Sequence, residues 1–150
     1  MTISAKGFFL LLSFSVVAQT DKELIKAVIE KETGSYFGVD RKNWEVTWLK
    51  APYTFWSYSD STGGNFVEGT GNIVQNFDEY FRTAKPSISK IERVWQEIRV
   101  YGKAAYARYA QKITDNIHHD ETSEVRVLEK DKDGKWKIVC VIAIANYSAK

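Results

Sequence analysis

The spacing of apolar residues predicts helices in the first part of the chain. Thr20 and Glu23 have the spacing of a capping box, in which each residue satisfies a backbone N–H that the helix leaves free. Apolar side chains from Leu24 to Tyr36 then recur every three or four residues. This period places them on one stripe of a helix, which we expect to end between positions 34 and 38.

A second, short helix and a hairpin are predicted next. Asp40 is a good cap for a helix that carries Trp44 and Trp48 four residues apart on one face. The aromatic stretch 53–58 is β-prone, and the Ser, Asp, Thr and Gly residues after it predict a turn. A short strand at 65–68 would complete the hairpin.

After residue 70 the pattern changes from helical to extended. Asn72 predicts the cap of a third helix, which Pro86 ends. Four long candidates for strands follow, and Asp133-Gly134 between the last two is a strong hairpin turn. The predicted strands are Ile88–Tyr101, Ala104–Ile113, Glu121–Lys130 and Lys135–Tyr147. The predicted helices come first along the chain and the antiparallel strands come last. This order predicts an α+β domain with the helices on one face of the sheet.

The last strand is apolar on both faces. Strict alternation places Trp136, Ile138, Cys140, Ile142 and Ile144 on one face, and it places Val139, Val141, Ala143 and Ala145 on the other. The helices can cover only one of these faces. We therefore expect a homodimer that forms through the outer face of the long strands. By this prediction, Val141→Lys or Ala143→Lys would separate the dimer if the residue lies at the interface, and would unfold the chain if it lies in the core.

Composition narrows the class of protein. The 150 residues are 44% hydrophobic and 14% aromatic, which suits one domain with a single core. The formal charge is +2, and basic residues alternate with acidic ones, so no basic stripe favours nucleic acid as a partner. The single cysteine, Cys140, excludes an internal disulfide and a Cys-rich zinc module.

The first 18 residues have the pattern of a secretory signal. Lys6 precedes the apolar run from Phe8 to Ala18, which is too short to span a bilayer and is followed at once by polar residues. We expect cleavage after Ala18, export to the periplasm or medium, no membrane attachment afterwards, and a single domain over residues 19–150. The alternative is a buried amino-terminal helix.

One string near the carboxyl end carries a family resemblance. The sequence ETSEVRVLEKDKDGKWKIV at 121–139 contains Gly134-Lys135-Trp136, which resembles the turn into the last strand of the SnoaL-like or NTF2-like superfamily. The resemblance implies a strongly curved, mainly antiparallel sheet that encloses a pocket beneath the helices, and often a homodimer through the outer face. Some members are isomerases, dehydratases or cyclases with an acid or His in the pocket. Residues 140–144 of this chain, where such residues often stand, are all apolar or Cys.

Several motifs resemble metal-binding or catalytic sites but lack the residues or geometry that such sites need. Neighbouring residues of His118-His119-Asp120-Glu121 point to opposite sides of an extended segment, so a solvated loop is the better interpretation than a metal site. The calcium-loop pattern that starts at Glu129 has Cys140 where a bidentate Glu is needed. Cys140 itself has no nearby His to activate it and is interpreted as a core residue. We predict no catalytic residue, no metal and no cofactor.

The abundance of aromatic side chains is the stronger signal. There are too many for one small core to hold unless some line a cavity, so we predict a pocket for a small, mainly apolar ligand. The predicted ligand-binding residues are Trp48, Trp56, Tyr80, Trp95, Tyr106 and Arg108. Arg108, if it is drawn into the pocket, needs an acidic partner, and Glu97 is the first candidate.

The sequence is compatible with three functions. The leading hypothesis is an exported, dimeric binding protein of unknown activity. An isomerase or dehydratase that uses Asp40 or Glu97 as its acid or base is the first alternative. An interaction module whose cavity is filled by its own side chains is the second. A cavity with a carboxylate inside would favour the enzyme, and a cavity with aromatic residues alone would favour binding.

Overall fold

The computed structural model describes residues 19–116 and 119–146, and within them four helices lie against one six-stranded sheet. The helices are α1 (Asp21–Phe37), α2 (Arg41–Glu45), α3 (Thr70–Asn76) and α4 (Asp78–Thr83). The strands are β1 (Phe55–Asp60), β2 (Gly63–Glu68), β3 (Lys90–Tyr101), β4 (Ala104–Thr114), β5 (His119–Lys130) and β6 (Trp136–Ala145). The predicted signal segment 1–18 lies outside the described residues, and export stays a prediction.

Helix α1 begins and ends where the sequence predicts. The hydroxyl of Thr20 accepts from the backbone N–H of Glu23, and the Glu23 carboxylate accepts from the Thr20 N–H at 2.8 Å. Both bonds satisfy donors that a helix start leaves free. Ile25 and Ile29, four residues apart, are fully buried on the face that the helix turns to the sheet.

Helix α2 is shorter than the tryptophan spacing suggests. The Asp40 carboxylate accepts from the backbone N–H of Asn43 and caps the helix, as predicted. The helix ends at Glu45, however, and Trp48 lies beyond it in an isolated bridge to Ile138 of β6.

The predicted third helix is two helices, and its predicted cap is wrong. The chain enters α3 through Gly69, whose φ of 81° lies in the left-handed region that favours glycine. Asn72 lies inside the helix and its amide donates back to the carbonyl of Glu68. A break at Phe77 then separates α3 from α4, and it places the Phe77 ring against Trp44 and Trp56.

The sheet has the order β2-β1-β6-β5-β4-β3 and is open at both edges. Strands β3 to β6 form the predicted antiparallel meander, and β1 pairs with β2 in the predicted hairpin. The pairing of β1 with β6 is parallel, so the sheet is mixed but mainly antiparallel. The helices cover one face, which agrees with the predicted α+β architecture.

Two β-bulges decide which side chains face the helices. In β3 the register shifts between Trp95 and Glu97, so that Trp95 faces inward with Ile98 while Glu97 faces outward. In β6 the extra residue is Val139, opposite the step from Val127 to Leu128.

The bulge in β6 corrects the two faces predicted from strict alternation. The inner face carries Trp136 and Ile138 before the bulge, and Val141 and Ala143 after it. The outer face carries Cys140, Ile142 and Ile144. Val141 and Ala143 are therefore core residues, and they are wrong choices for a test of an interface.

The loop predicted at His119–Glu121 is wrong. These residues begin strand β5 and pair with β4. His118 lies outside the described residues. In the described part of the chain no three His, Cys, Asp or Glu side chains are placed to hold a metal ion. No helix among the described residues is long and apolar enough to cross a bilayer.

Candidate functional site

A cavity of about 350 Å³ lies between the helices and the inner face of the sheet. Helices α1 and α2 and the break between α3 and α4 form its roof, and strands β1, β4, β5 and β6 form its floor. Its volume is at the lower end of the range for small-molecule sites.

Aromatic side chains form one wall of this cavity. The Phe77 ring is at the centre of the wall, with ring centroids 5.6 Å from Tyr36, 5.4 Å from Trp44 and 5.0 Å from Trp56. All three contacts are edge-to-face, the arrangement that aromatic quadrupoles prefer. The aromatic residues that line the cavity are Tyr36, Phe37, Trp44, Trp56, Tyr58 and Phe77.

The opposite end of the cavity is polar and is centred on Arg126. Its side chain is 5% exposed, and its Nη1 atom is 2.7 Å from Glu124 Oε2. Its Nη2 atom is 3.5 Å from Glu32 Oε2, so one buried guanidinium lies between two buried carboxylates. Such a charge is tolerated in a core only when it is paired in this way.

Both glutamates are held by further hydrogen bonds. The indole Nε1 of Trp44 donates to Glu32 Oε1 at 3.0 Å, and the Thr33 hydroxyl donates to Glu32 Oε2 at 3.3 Å. The Thr122 hydroxyl donates to Glu124 Oε1 at 2.7 Å. Helix α1, helix α2 and strand β5 are thereby joined through one charged cluster, which we call the Arg126 cluster: Glu32, Trp44, Thr122, Glu124 and Arg126.

Burial and charge have opposite effects on Arg126. Burial by itself lowers the pKa of the guanidinium, but the charges of Glu124 and Glu32 and the nearby Tyr109 outweigh it and raise the pKa above its ordinary value. Burial has the opposite effect on an acidic group, and it raises the pKa of the Tyr109 hydroxyl above its ordinary value. At neutral pH the site therefore contains a charged arginine beside a neutral tyrosine.

Some polar atoms at this end have no protein partner. In the part of the chain that the structure describes, Gln111 Oε1, Arg126 Nε and the Tyr109 hydroxyl are buried without a hydrogen bond. Gln111 and Arg126 both line the cavity. Buried polar groups without a partner are costly. The free atoms of Gln111 and Arg126 therefore mark where a polar group of a ligand would be stabilised.

Among the predicted ligand-binding residues, Trp56 is in the cavity wall and Tyr80 is one layer behind it. Tyr80 stacks on Tyr36 at 4.3 Å between ring centroids, and its hydroxyl donates to the Tyr36 carbonyl at 2.9 Å. Trp48 lies elsewhere and lines a second, larger depression of about 740 Å³, whose other lining residues are mostly charged.

The other three predicted residues are not in the cavity wall. Trp95 faces the helices but packs on Tyr109, with 4.8 Å between ring centroids. Tyr106 and Arg108 alternate with the buried Ala107 and Tyr109 on β4, which places them on the outer face, where Arg108 is exposed. Arg108 therefore does not reach the cavity.

The two acids proposed for an enzyme are also outside the cavity. Asp40 is the cap of α2. Glu97 is paired in register with Arg108 on the outer face, but its carboxylate forms an ion pair with Arg99 at 3.2 Å. The bulge in β3 explains this placement, because without the extra residue Glu97 would share the face of Trp95.

Sequence reasoning missed the Arg126 cluster, and the pattern of β5 explains why. Val125 and Val127 alternate with Glu124 and Arg126, so a hydrophobic pattern places the valines inside. The structure has the opposite arrangement, with both charged residues buried and both valines on the outer face. The available signal was the pair of opposite charges two residues apart, on one face of a strand that also carries Leu128.

Comparison with solved structures supports the fold. One similar structure is an NTF2-like protein of unknown function from Shewanella baltica OS155, with 21% identity, coverage of 85% of this chain and 95% of that chain, and a TM-score of 0.62. Another, from Shewanella oneidensis MR-1 and also of unknown function, has 13% identity, coverage of 83% and 99%, and a TM-score of 0.67.

A third similar structure is a ketosteroid isomerase-like protein from Erwinia carotovora atroseptica, with 14% identity, coverage of 86% and 100%, and a TM-score of 0.60. No protein-family model matches the sequence, and no curated protein matches it. At these identities the similarity concerns the fold and leaves the activity open. The predicted resemblance is confirmed for the fold: this chain has the α+β fold of these NTF2-like structures.

Proposed function

We propose that this protein binds a small, mainly apolar ligand in the cavity between its helices and its sheet. The observation that carries the proposal is the combination of six aromatic residues around the cavity with unpartnered polar atoms of Gln111 and Arg126 at one end. An apolar ring would pack against the aromatic wall, and a polar substituent would reach the other end. Of the predicted ligand-binding residues, this proposal keeps Trp56 in the wall and Tyr80 as its support.

Binding can be tested with the protein's own fluorescence. Trp44 and Trp56 line the cavity, so titration with 2-naphthol should give a saturable quenching of tryptophan emission and a higher melting temperature. Ala143→Leu, on the inner face, should occupy part of the cavity and weaken binding by about tenfold or more.

The control is Ala110→Leu, which makes the same change on the outer face of β4 and should leave binding intact. Circular dichroism of both variants establishes that they are folded. Absence of saturable quenching in the wild type, or equal binding by wild type and Ala143→Leu, would contradict the proposal.

An enzyme that uses acid–base chemistry is the second candidate, because a carboxylate does lie in the cavity. Glu32 lines it, although both of its oxygens already accept hydrogen bonds or face Arg126. A general base must be within hydrogen-bond distance of the proton that it removes. The similarity to a ketosteroid isomerase-like protein suggests a ketosteroid as the first substrate class to test. Turnover that is lost in Glu32→Gln, while that variant still binds 2-naphthol, would favour the enzyme.

A further inference from the structure

The charge of Arg126 is already balanced inside the protein. A guanidinium that binds ligand carboxylates needs free N–H groups and a surplus of positive charge. Here the Nη atoms face Glu124 and Glu32, at 2.7 and 3.5 Å, and both carboxylates are buried. The three side chains together carry one net negative charge.

The other charged groups around this end do not reverse that balance. Arg93 also lies near the Tyr109 ring, with its guanidinium carbon 5.7 Å from the ring centroid, and it does not line the cavity. Asp120 does line the cavity and adds a further negative charge. An incoming carboxylate would therefore lose its hydration and meet Glu32, Glu124 and Asp120 with a single, already paired arginine in reach.

A neutral polar group meets a different environment. Gln111 Oε1 needs a donor, and Arg126 Nε needs an acceptor. A hydroxyl group can donate to the first and accept from the second, so it can satisfy buried groups without adding a charge. A hydrocarbon of the same size leaves both groups without a partner, which costs part of the binding free energy.

We infer that the Arg126 cluster makes the cavity selective for neutral ligands that carry a hydroxyl on an apolar ring, and that its two glutamates exclude the corresponding carboxylates. This inference rests on the proposed binding function and specifies its ligand class. Arg126 acts as a neutralised hydrogen-bond donor in this arrangement, in contrast to an anion-binding arginine.

The test compares three ligands with one ring system at pH 7. Calorimetric titration with 2-naphthol, naphthalene and 2-naphthoate separates a neutral hydroxyl, no polar group and an ionised carboxylate. The expected order of affinity is naphthol, naphthalene, naphthoate, with naphthoate weaker than naphthol by about tenfold or more. Equal or tighter binding of naphthoate would overturn the inference and leave the proposed binding function standing. No binding of any of the three would overturn both.

A variant that removes one negative charge tests whether the glutamates cause the selectivity against carboxylates. Glu124→Gln keeps a side chain of the same size and an oxygen for the Thr122 hydroxyl, but leaves Arg126 with less compensation. The ratio of naphthoate affinity to naphthol affinity should therefore rise by about tenfold. Glu32→Gln provides a second, independent removal of negative charge with the same expected direction.

Glu97→Gln is the matched control, because that carboxylate is on the outer face and pairs with Arg99. It should leave all three affinities unchanged. If naphthoate binding stays weak in both Glu124→Gln and Glu32→Gln while the melting curves show folded protein, internal charge compensation is not the cause and the inference fails.

Discussion

At the scale of single residues, the carboxylate of Glu32 connects the roof of the cavity to its floor. It accepts from Trp44 on α2 and faces Arg126 on β5, although it belongs to α1. Each of these contacts is buried, so removal of one partner leaves another polar group without compensation. Of these contacts, the hydrogen bond from the Trp44 indole N–H to Glu32 can be removed with the least change in packing.

Trp44→Phe should therefore destabilise the fold through the loss of one hydrogen bond as well as some ring area. Glu32 Oε1 would lose the donor that is now at 3.0 Å, and a buried acceptor without a partner costs about 1–3 kcal/mol. Urea denaturation followed by circular dichroism measures the change in the free energy of unfolding. Trp95→Phe is the control, since that ring packs on Tyr109 and does not donate to Glu32. Similar losses in the two variants would argue against a special role for the Trp44–Glu32 bond.

At the scale of secondary-structure elements, α1 is fixed to the last hairpin by its first residue. Asp21 accepts hydrogen bonds from Trp136 Nε1 at 2.8 Å and from Lys130 Nζ at 3.1 Å, and Lys130 in turn lies over the Trp136 ring. The hairpin turns at Gly134, whose φ of 76° explains why the sequence has glycine there. The helix start and the β5–β6 turn are thus held together by a partly exposed ionic contact.

This contact predicts a dependence of stability on acid. The hydrogen bonds from Lys130 and Trp136 lower the pKa of Asp21 below its ordinary value of 3.8. Because the pKa is lower in the folded chain than in the unfolded chain, the stabilisation is complete above that value and is lost as the pH falls to the folded-state pKa. The melting temperature of Asp21→Asn should therefore be below that of the wild type at pH 7, with the difference shrinking below pH 4.

Asp133→Asn is the control for this experiment, because it removes one acidic charge in the exposed hairpin turn and keeps a residue that suits the turn. A difference between wild type and Asp21→Asn that stays constant from pH 7 to pH 3 would contradict the assignment. Raised salt should reduce the difference at pH 7, because the ion pair is partly exposed and is screened.

At the scale of the whole molecule, the outer face of the sheet is rich in exposed apolar side chains. Val94 is 67% exposed, Tyr101 63% and Ile144 51%, on strands β3 and β6. The helices lie on the other face. Exposed apolar side chains on a face that no helix covers are costly to leave in water, and their burial against a second copy of the chain is the arrangement that we propose.

We therefore expect a homodimer at micromolar concentration by sedimentation velocity. A stable interface of standard size would bury about 1,600 Å² in total. Ile144→Lys should shift the protein to a folded monomer, because the side chain is already half exposed and the substitution affects the outer face alone. Thr83→Lys on α4 is the control for added charge. A monomeric wild type, or an Ile144→Lys dimer of unchanged strength, would rule out this interface.

Local patterns in the sequence determined the elements themselves. The capping box at Thr20, the cap at Asp40 and the Asp133-Gly134 turn each depend on contacts within a few residues, and each is confirmed. The α+β class follows from the change of period, since helices and strands differ in the spacing of their buried residues. Asn72 was misassigned because a cap-forming side chain can also form its hydrogen bond from inside a helix.

The tertiary structure alone decided which face of each strand is inside. A single bulge in β3 and another in β6 reverse the alternation for every residue that follows, and neither bulge is marked by a glycine. A hydrophobic pattern also cannot predict that Glu124 and Arg126 are buried in place of Val125 and Val127. Two buried charges are stable only because Glu32, from a helix about ninety residues earlier, completes the cluster, and such long-range compensation exists only in the folded chain.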